Sequence, residues 1–82
     1  MIPIRTKYQI DDYVNDKIPP GDFLYAVLTN NLIDAMTRAD KINMYGLKDI
    51  VLYVYNDIPS VCWGSPEKVK EWLNPKEKDH EL

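Results

Sequence analysis

Trp63-Gly64-Ser65-Pro66-Glu67-Lys68 and Pro19-Pro20-Gly21-Asp22-Phe23 are the two stretches whose residue types suit binding chemistry. Each reads as a tight loop running into the first turn of a helix. Ser65 is placed to cap free amides, Pro66 fits the first helical position, and Glu67 suits the positive end of the helix dipole. A helix start preceded by glycine and an aromatic ring can hold an anionic group while the ring stacks on it. A third set, Asn30, Asn31, Arg38, Asp40 and Asn43, lies between two apolar segments. There Arg38 can fork onto a phosphate or carboxylate while the amides read a polar ligand edge. Each feature also has a structural explanation. Asn30 and Asn31 can cap a helix, Arg38-Ala39-Asp40 can be a surface ion pair, and Trp63 can pack against Trp72 and Val69.

Catalytic chemistry has little to work with. The single histidine, His80, sits in the tail, so neither a serine nor a cysteine nucleophile has a credible base. Cys62 stands alone beside Trp63 and reads as a small packed residue, which leaves no internal disulfide and favours a reducing cytoplasm. Metal ligation lacks cysteines and histidines, and the carboxylates lack calcium-loop spacing. Asp11, Asp12 and Asp16 read as a solvated acidic face. The expectation is a protein that is not an enzyme and carries neither metal nor cofactor.

Composition limits the partners. Ten Lys plus Arg against thirteen Asp plus Glu give a net charge of −3. Residues 1–65 hold six basic and eight acidic side chains, and residues 66–82 hold four and five. With no strongly basic segment, a DNA duplex or an anionic membrane is a poor match. The start, Met1 to Lys7, lacks the apolar run of a signal peptide, and no apolar stretch approaches the ~20 residues that span a bilayer. The Asp79-His80-Glu81-Leu82 end superficially resembles an endoplasmic-reticulum retrieval signal, and without a leader chance explains it better.

Helix signals recur along the chain, and turn signals punctuate them. Thr6 is a candidate cap for a first helix to about Asn15, with Ile10, Tyr13 and Val14 at helical spacing. Pro19-Pro20-Gly21 forces a loop. An apolar stripe then runs from Leu24 to Ala39, and Thr29-Asn30-Asn31 in its middle predicts a kink or a break with Asn31 as a new cap. Met44, Leu47, Ile50, Val51, Val54 and Ile58 predict the next helix, although Ile50–Tyr55 also has strand composition. Tyr45, Leu52 and Tyr55 form a second apolar stripe on it. Pro66 to Leu73 predicts a last helix carrying Val69, Trp72 and Leu73. The expected architecture is all-α: one domain over residues 1–73, a compact bundle of four to five short helices, with a charged tail over residues 74–82. A helix that is apolar on two sides in so short a chain points to a homo-oligomer, the alternative being a helix at the centre of the monomer.

Pro-Pro-Gly-x-Phe-Leu-x-Ala-Val-Leu-x-Asn at 19–30, Arg-Ala-Asp-x-x-Asn at 38–43, Tyr-Asn-x-x-Pro at 55–59 and Trp-Gly-Ser at 63–65 together resemble short bacteriophage- and prophage-encoded proteins. The resemblance covers most of residues 8–73 and implies a phage-type accessory protein in the host cytoplasm, without assigning an activity. Two functions are then expected in competition. The first is a sponge that sequesters an anionic, nucleotide-like immune signal to counter host defence, with Pro20, Gly21, Asn30, Asn31, Arg38, Asn43, Trp63, Gly64 and Ser65 near the ligand. The second is an adaptor that binds and inhibits a host protein through a Tyr-rich face of Tyr8, Tyr13, Tyr25, Tyr45, Tyr53 and Tyr55. A signal-nucleotide hydrolase and a structural phage component are the outlying alternatives. A pocket lined by Arg38 and Trp63 favours the sponge, and an exposed Tyr stripe away from any pocket favours the adaptor.

Overall fold

Thirteen residues from Ile4 to Asp16 form the first helix, α1, because Thr6, Ile10 and Tyr13 recur on one face and bury together. The computed structural model describes residues 1–75; the residues beyond, His80 and most of the expected tail among them, lie outside this description. Thr6 does not cap α1. The helix starts three residues earlier, after Pro3, whose carbonyl accepts from Lys7 N–H at 3.0 Å. The proline supplies an extended backbone at φ −60°, ψ 132° where a capping side chain was expected. Thr6 is buried in the first turn, and its hydroxyl donates to Asn43 Oδ1 at 2.5 Å. Lys17, in the left-handed region at φ 55°, ends α1 just ahead of Ile18-Pro19-Pro20.

The expected break inside residues 22–39 is present. α2 spans Asp22–Leu28 and α3 spans Leu32–Arg38. Asn30 takes φ 64°, Asn31 N–H donates to Ala26 O at 2.8 Å, and Asn30 N–H donates to Val27 O at 3.1 Å. Those are the bonds of a left-handed helix end, with asparagine in the place glycine usually fills. Asn31 then caps α3, its side chain accepting from Asp34 N–H at 3.2 Å. Two adjacent asparagines thus end one helix and start the next.

The helix expected over 44–58 divides. α4 runs Lys41–Tyr45, α5 runs Leu47–Asp57, and Gly46 separates them. Asp40 starts α4 by accepting from Asn43 N–H at 2.8 Å, so it does not pair with Arg38, which instead reaches Asp22 Oδ2 at 3.4 Å. Residues 50–55 are helical and not a strand. A 3₁₀ turn at Ser60–Cys62 leads through Trp63 and Gly64 to α6, Pro66–Leu73, which Ser65 caps as expected by accepting from Lys68 N–H at 3.2 Å. The described residues therefore form six α-helices and one 3₁₀ turn, more pieces than the four to five expected, with no strand among them.

α2 lies at the centre of the core. Leu24, Ala26, Val27 and Leu28 are buried against Ile10 and Tyr13 of α1, Ala35 of α3, Ile50 and Val54 of α5, and Ile58, Cys62 and Val69. Tyr13 ties the two ends of the chain together. Its hydroxyl donates to Cys62 O at 2.6 Å, and its own carbonyl accepts Trp72 Nε1–H at 3.0 Å. Lys17 closes the group, donating to Trp72 O at 3.0 Å with its ammonium 3.3 Å from the Trp72 ring centre.

Candidate functional site

The small side chains of Ala26 and Ala35 let α2 and α3 pack closely, and the floor between α3 and α5 is left recessed. Val27, Val54 and the Trp63 ring complete that floor, while Leu32, Leu47 and Val51 form the rims and Asn30 and Asn31 close one end. The cleft has a volume of about 90 Å³. That is the scale of one branched apolar side chain, well under the roughly 300 Å³ at which small-molecule sites begin. No charged residue lines it.

Trp63 is held from both sides. Gly64, at φ 119°, donates its N–H to Leu28 O at 2.7 Å, which fastens the loop to the end of α2. That conformation favours glycine, since a side chain there meets its own backbone. The Trp63 ring meets Tyr55 edge-on at 6.1 Å between centroids. It was expected against Trp72, which sits instead with Lys17. Trp63 Nε1 is shielded from solvent and has no acceptor among the described residues. A buried donor left unpaired costs about 1–3 kcal/mol.

A second recess, about 280 Å³, opens on the far side of Asn31. Arg38 lies here beside Asp22 and Asp34, with Tyr25 and Thr29. One guanidinium against two carboxylates gives the recess a net negative charge, which repels an anion. The Thr29 hydroxyl is occupied, donating to Tyr25 O at 2.8 Å.

The nine expected ligand residues are therefore dispersed. Asn30, Asn31 and Trp63 meet at the cleft, Asn31 and Arg38 meet at the second recess, and Arg38 and Trp63 share neither. Asn43 is bound to Thr6, while Gly64 N–H and the Ser65 hydroxyl already serve the local fold. Pro20 and Gly21 line neither recess, although Gly21 O accepts Tyr25 N–H at 2.8 Å at the start of α2. The lining residues missing from the sequence expectation are Ala26, Val27, Leu32, Ala35, Leu47, Val51 and Val54. Their apolar periodicity was visible; that they border a gap between helices was not.

The tyrosines also separate. Tyr45 is 93% exposed and Tyr55 68%, while Tyr13 is buried and Tyr53 donates to Asp11 Oδ1 at 2.5 Å. Burial alone pushes the Asp11 carboxyl up, but the Tyr53 hydroxyl and the Lys7 ammonium, 3.1 Å away, hold it below the usual carboxylate value. Burial pushes the Cys62 thiol up, with Lys17 a weaker opposing influence. No group of three or more His, Cys, Asp or Glu gathers in metal-binding geometry among the described residues, and no helix among them is long and apolar enough to cross a membrane.

The described residues form an all-helical globule with an apolar surface recess between α3 and α5. No protein-family model, curated protein or solved structure matches the chain.

Proposed function

We propose that this chain is a protein-binding module whose contact surface is the apolar cleft between α3 and α5. The observation that carries the reading is the cleft itself: sized for one side chain, without charge, and rimmed by Leu32 at 62% and Val51 at 42% exposure. Covering such side chains releases roughly 25 cal/mol per Å² of apolar area, a gain that an apolar protein side chain collects and a phosphate group does not. In the setting that the resemblance to short phage proteins implies, such a module acts as an adaptor on other proteins of the infected cell. The sponge reading has weaker support. Its cation and its aromatic ring lie in different recesses, and the cation is matched by two carboxylates.

Two measurements separate the readings. A photo-crosslinking side chain at Val51, expressed in bacteria, is expected to capture protein-sized species. The same group at Gln9, on the exposed face of α1, captures none. Native mass spectrometry after incubation with a bacterial nucleotide extract is expected to show no added mass. A discrete nucleotide-sized gain, released intact on denaturation, overturns the adaptor and restores the sponge.

A further inference from the structure

Trp63 is half-buried, and an indole so placed normally sinks its apolar body and turns its N–H toward water or an acceptor. This one does the reverse. Its ring packs against the core, and Nε1 is shielded from solvent with no acceptor among the described residues. We infer that the Trp63 ring is a gate: it has a second orientation in which the N–H reaches water and the cleft between α3 and α5 opens down to Val27 and Val54. Ring burial favours the closed orientation, while the N–H recovers its hydrogen bond only in the open one. The two terms oppose each other, so the orientations lie close enough in free energy for both to be populated. Trp72 is the internal contrast. Its N–H donates to Tyr13 O at 3.0 Å and Lys17 lies over its ring, so a single arrangement satisfies both needs.

The backbone confines the motion to the ring. On one side Cys62 N–H donates to Pro59 O at 3.0 Å, and on the other Gly64 N–H donates to Leu28 O at 2.7 Å. Ser65 is fixed in turn as the cap of α6. Trp63 lies between these anchors in extended backbone, φ −151° and ψ 169°, where more than one χ1 rotamer is open to the side chain. Little stands in its way. Gly64 has no side chain, and a Cβ there would meet only the Lys68 tip, with Cδ and Nζ each at 3.6 Å. Tyr55, which meets the ring edge-on, is itself 68% exposed and free to turn aside. Because the ring forms part of the floor, its departure deepens a cleft of about 90 Å³ against the buried Val27 and Val54. The cleft is therefore sized by a movable side chain and not by the helices alone.

Nuclear magnetic resonance of the isotope-labelled full chain tests the gate, with Trp63→Phe and Trp72→Phe assigning the two indole N–H signals. The Trp63 N–H is expected to exchange with water about tenfold or more faster than the Trp72 N–H, because local opening reaches it without unfolding the core. Relaxation dispersion is expected at the Trp63 indole nitrogen and, with the same rate, at the Val27 and Val54 methyls of the floor, while Val69 and Trp72 stay flat. Tyr55→Ala removes an exposed ring that holds Trp63 closed. The open population is then expected to rise about threefold, with unchanged far-ultraviolet helix content. A Trp63 N–H as slow to exchange as that of Trp72 overturns the inference. So does indole motion that the floor methyls do not share, or an open population that Tyr55→Ala leaves unchanged.

Discussion

Trp63 and Trp72 are a natural pair for measuring what a single hydrogen bond contributes. Trp72 Nε1 donates to Tyr13 O at 3.0 Å, whereas Trp63 Nε1 is buried with no acceptor among the described residues. Replacing either by phenylalanine removes the same ring volume, so the difference between the variants reports the N–H together with the Lys17 contact on Trp72. Trp72→Phe strands the Tyr13 carbonyl and weakens the Lys17 contact, and is expected to lose about 1–3 kcal/mol. Trp63→Phe removes a donor that gains nothing in the folded protomer, and is expected to cost at least 1 kcal/mol less than its counterpart. Urea unfolding at constant m-value reads both. The Asp11 group adds a pH signature. Its folded carboxyl titrates below the unfolded value of 3.8, so its stabilisation is complete above that value and is lost as the pH falls through the folded pKa. Tyr53→Phe removes the hydroxyl that donates to Asp11. Its acid-unfolding midpoint is expected to move to higher pH, and an unmoved midpoint shows that Lys7 suffices. At the alkaline end Tyr13, held neutral by burial with the Cys62 thiolate as a smaller influence, stabilises the fold below about pH 10. That stability falls as the pH rises and the unfolded chain ionises.

At the scale of the elements, Gly46 shows where a propensity rule reverses. It separates α4 from α5 with φ −93°, a backbone any residue adopts, and alanine normally improves such a position by up to about 1 kcal/mol. Here a Cβ on Gly46 meets Pro3 Cδ at 2.6 Å and Cγ at 3.0 Å. A proline ring at the start of α1 cannot swing aside as a lysine tip would. Gly46→Ala is therefore expected to destabilise by about 1–3 kcal/mol, with the loss relieved when Pro3→Ala is added. Equal losses in the single and double variants place the strain elsewhere. The same contact explains why the α4–α5 division was illegible in the sequence. The apolar period continues from Met44 to Leu47, and only the approach of a segment more than forty positions away makes the glycine decisive. Local signals read well by contrast. Pro19-Pro20, the Asn31 cap and the Ser65-Pro66 start act on their immediate neighbours, and each stands where its chemistry places it. Thr6 failed as a cap because Pro3 already set the start of α1, freeing a buried hydroxyl for Asn43. The candidate site was the least legible part. That Trp63 faces Tyr55 and that Arg38 turns to Asp22 are facts of packing, which no spacing in the chain encodes.

For the whole molecule, the homo-oligomer expected from the sequence would tie stability to concentration. A monomer of this size unfolds at a temperature independent of its concentration, while a dimer that dissociates on unfolding is stabilised by mass action. Scanning calorimetry over a hundredfold range of concentration is expected to show the midpoint rising with concentration, and a flat midpoint shows a monomer. Ionic strength then tests what holds the copies together. Two chains of charge −3 repel weakly at long range. Added salt screens that repulsion over a Debye length of about 8–10 Å and leaves apolar contact intact. The dimer is therefore expected to tighten modestly between low and physiological salt. A dimer that loosens with salt is held by opposed charges instead, of which the α3–α4 region offers Asp34, Arg38 and Lys41.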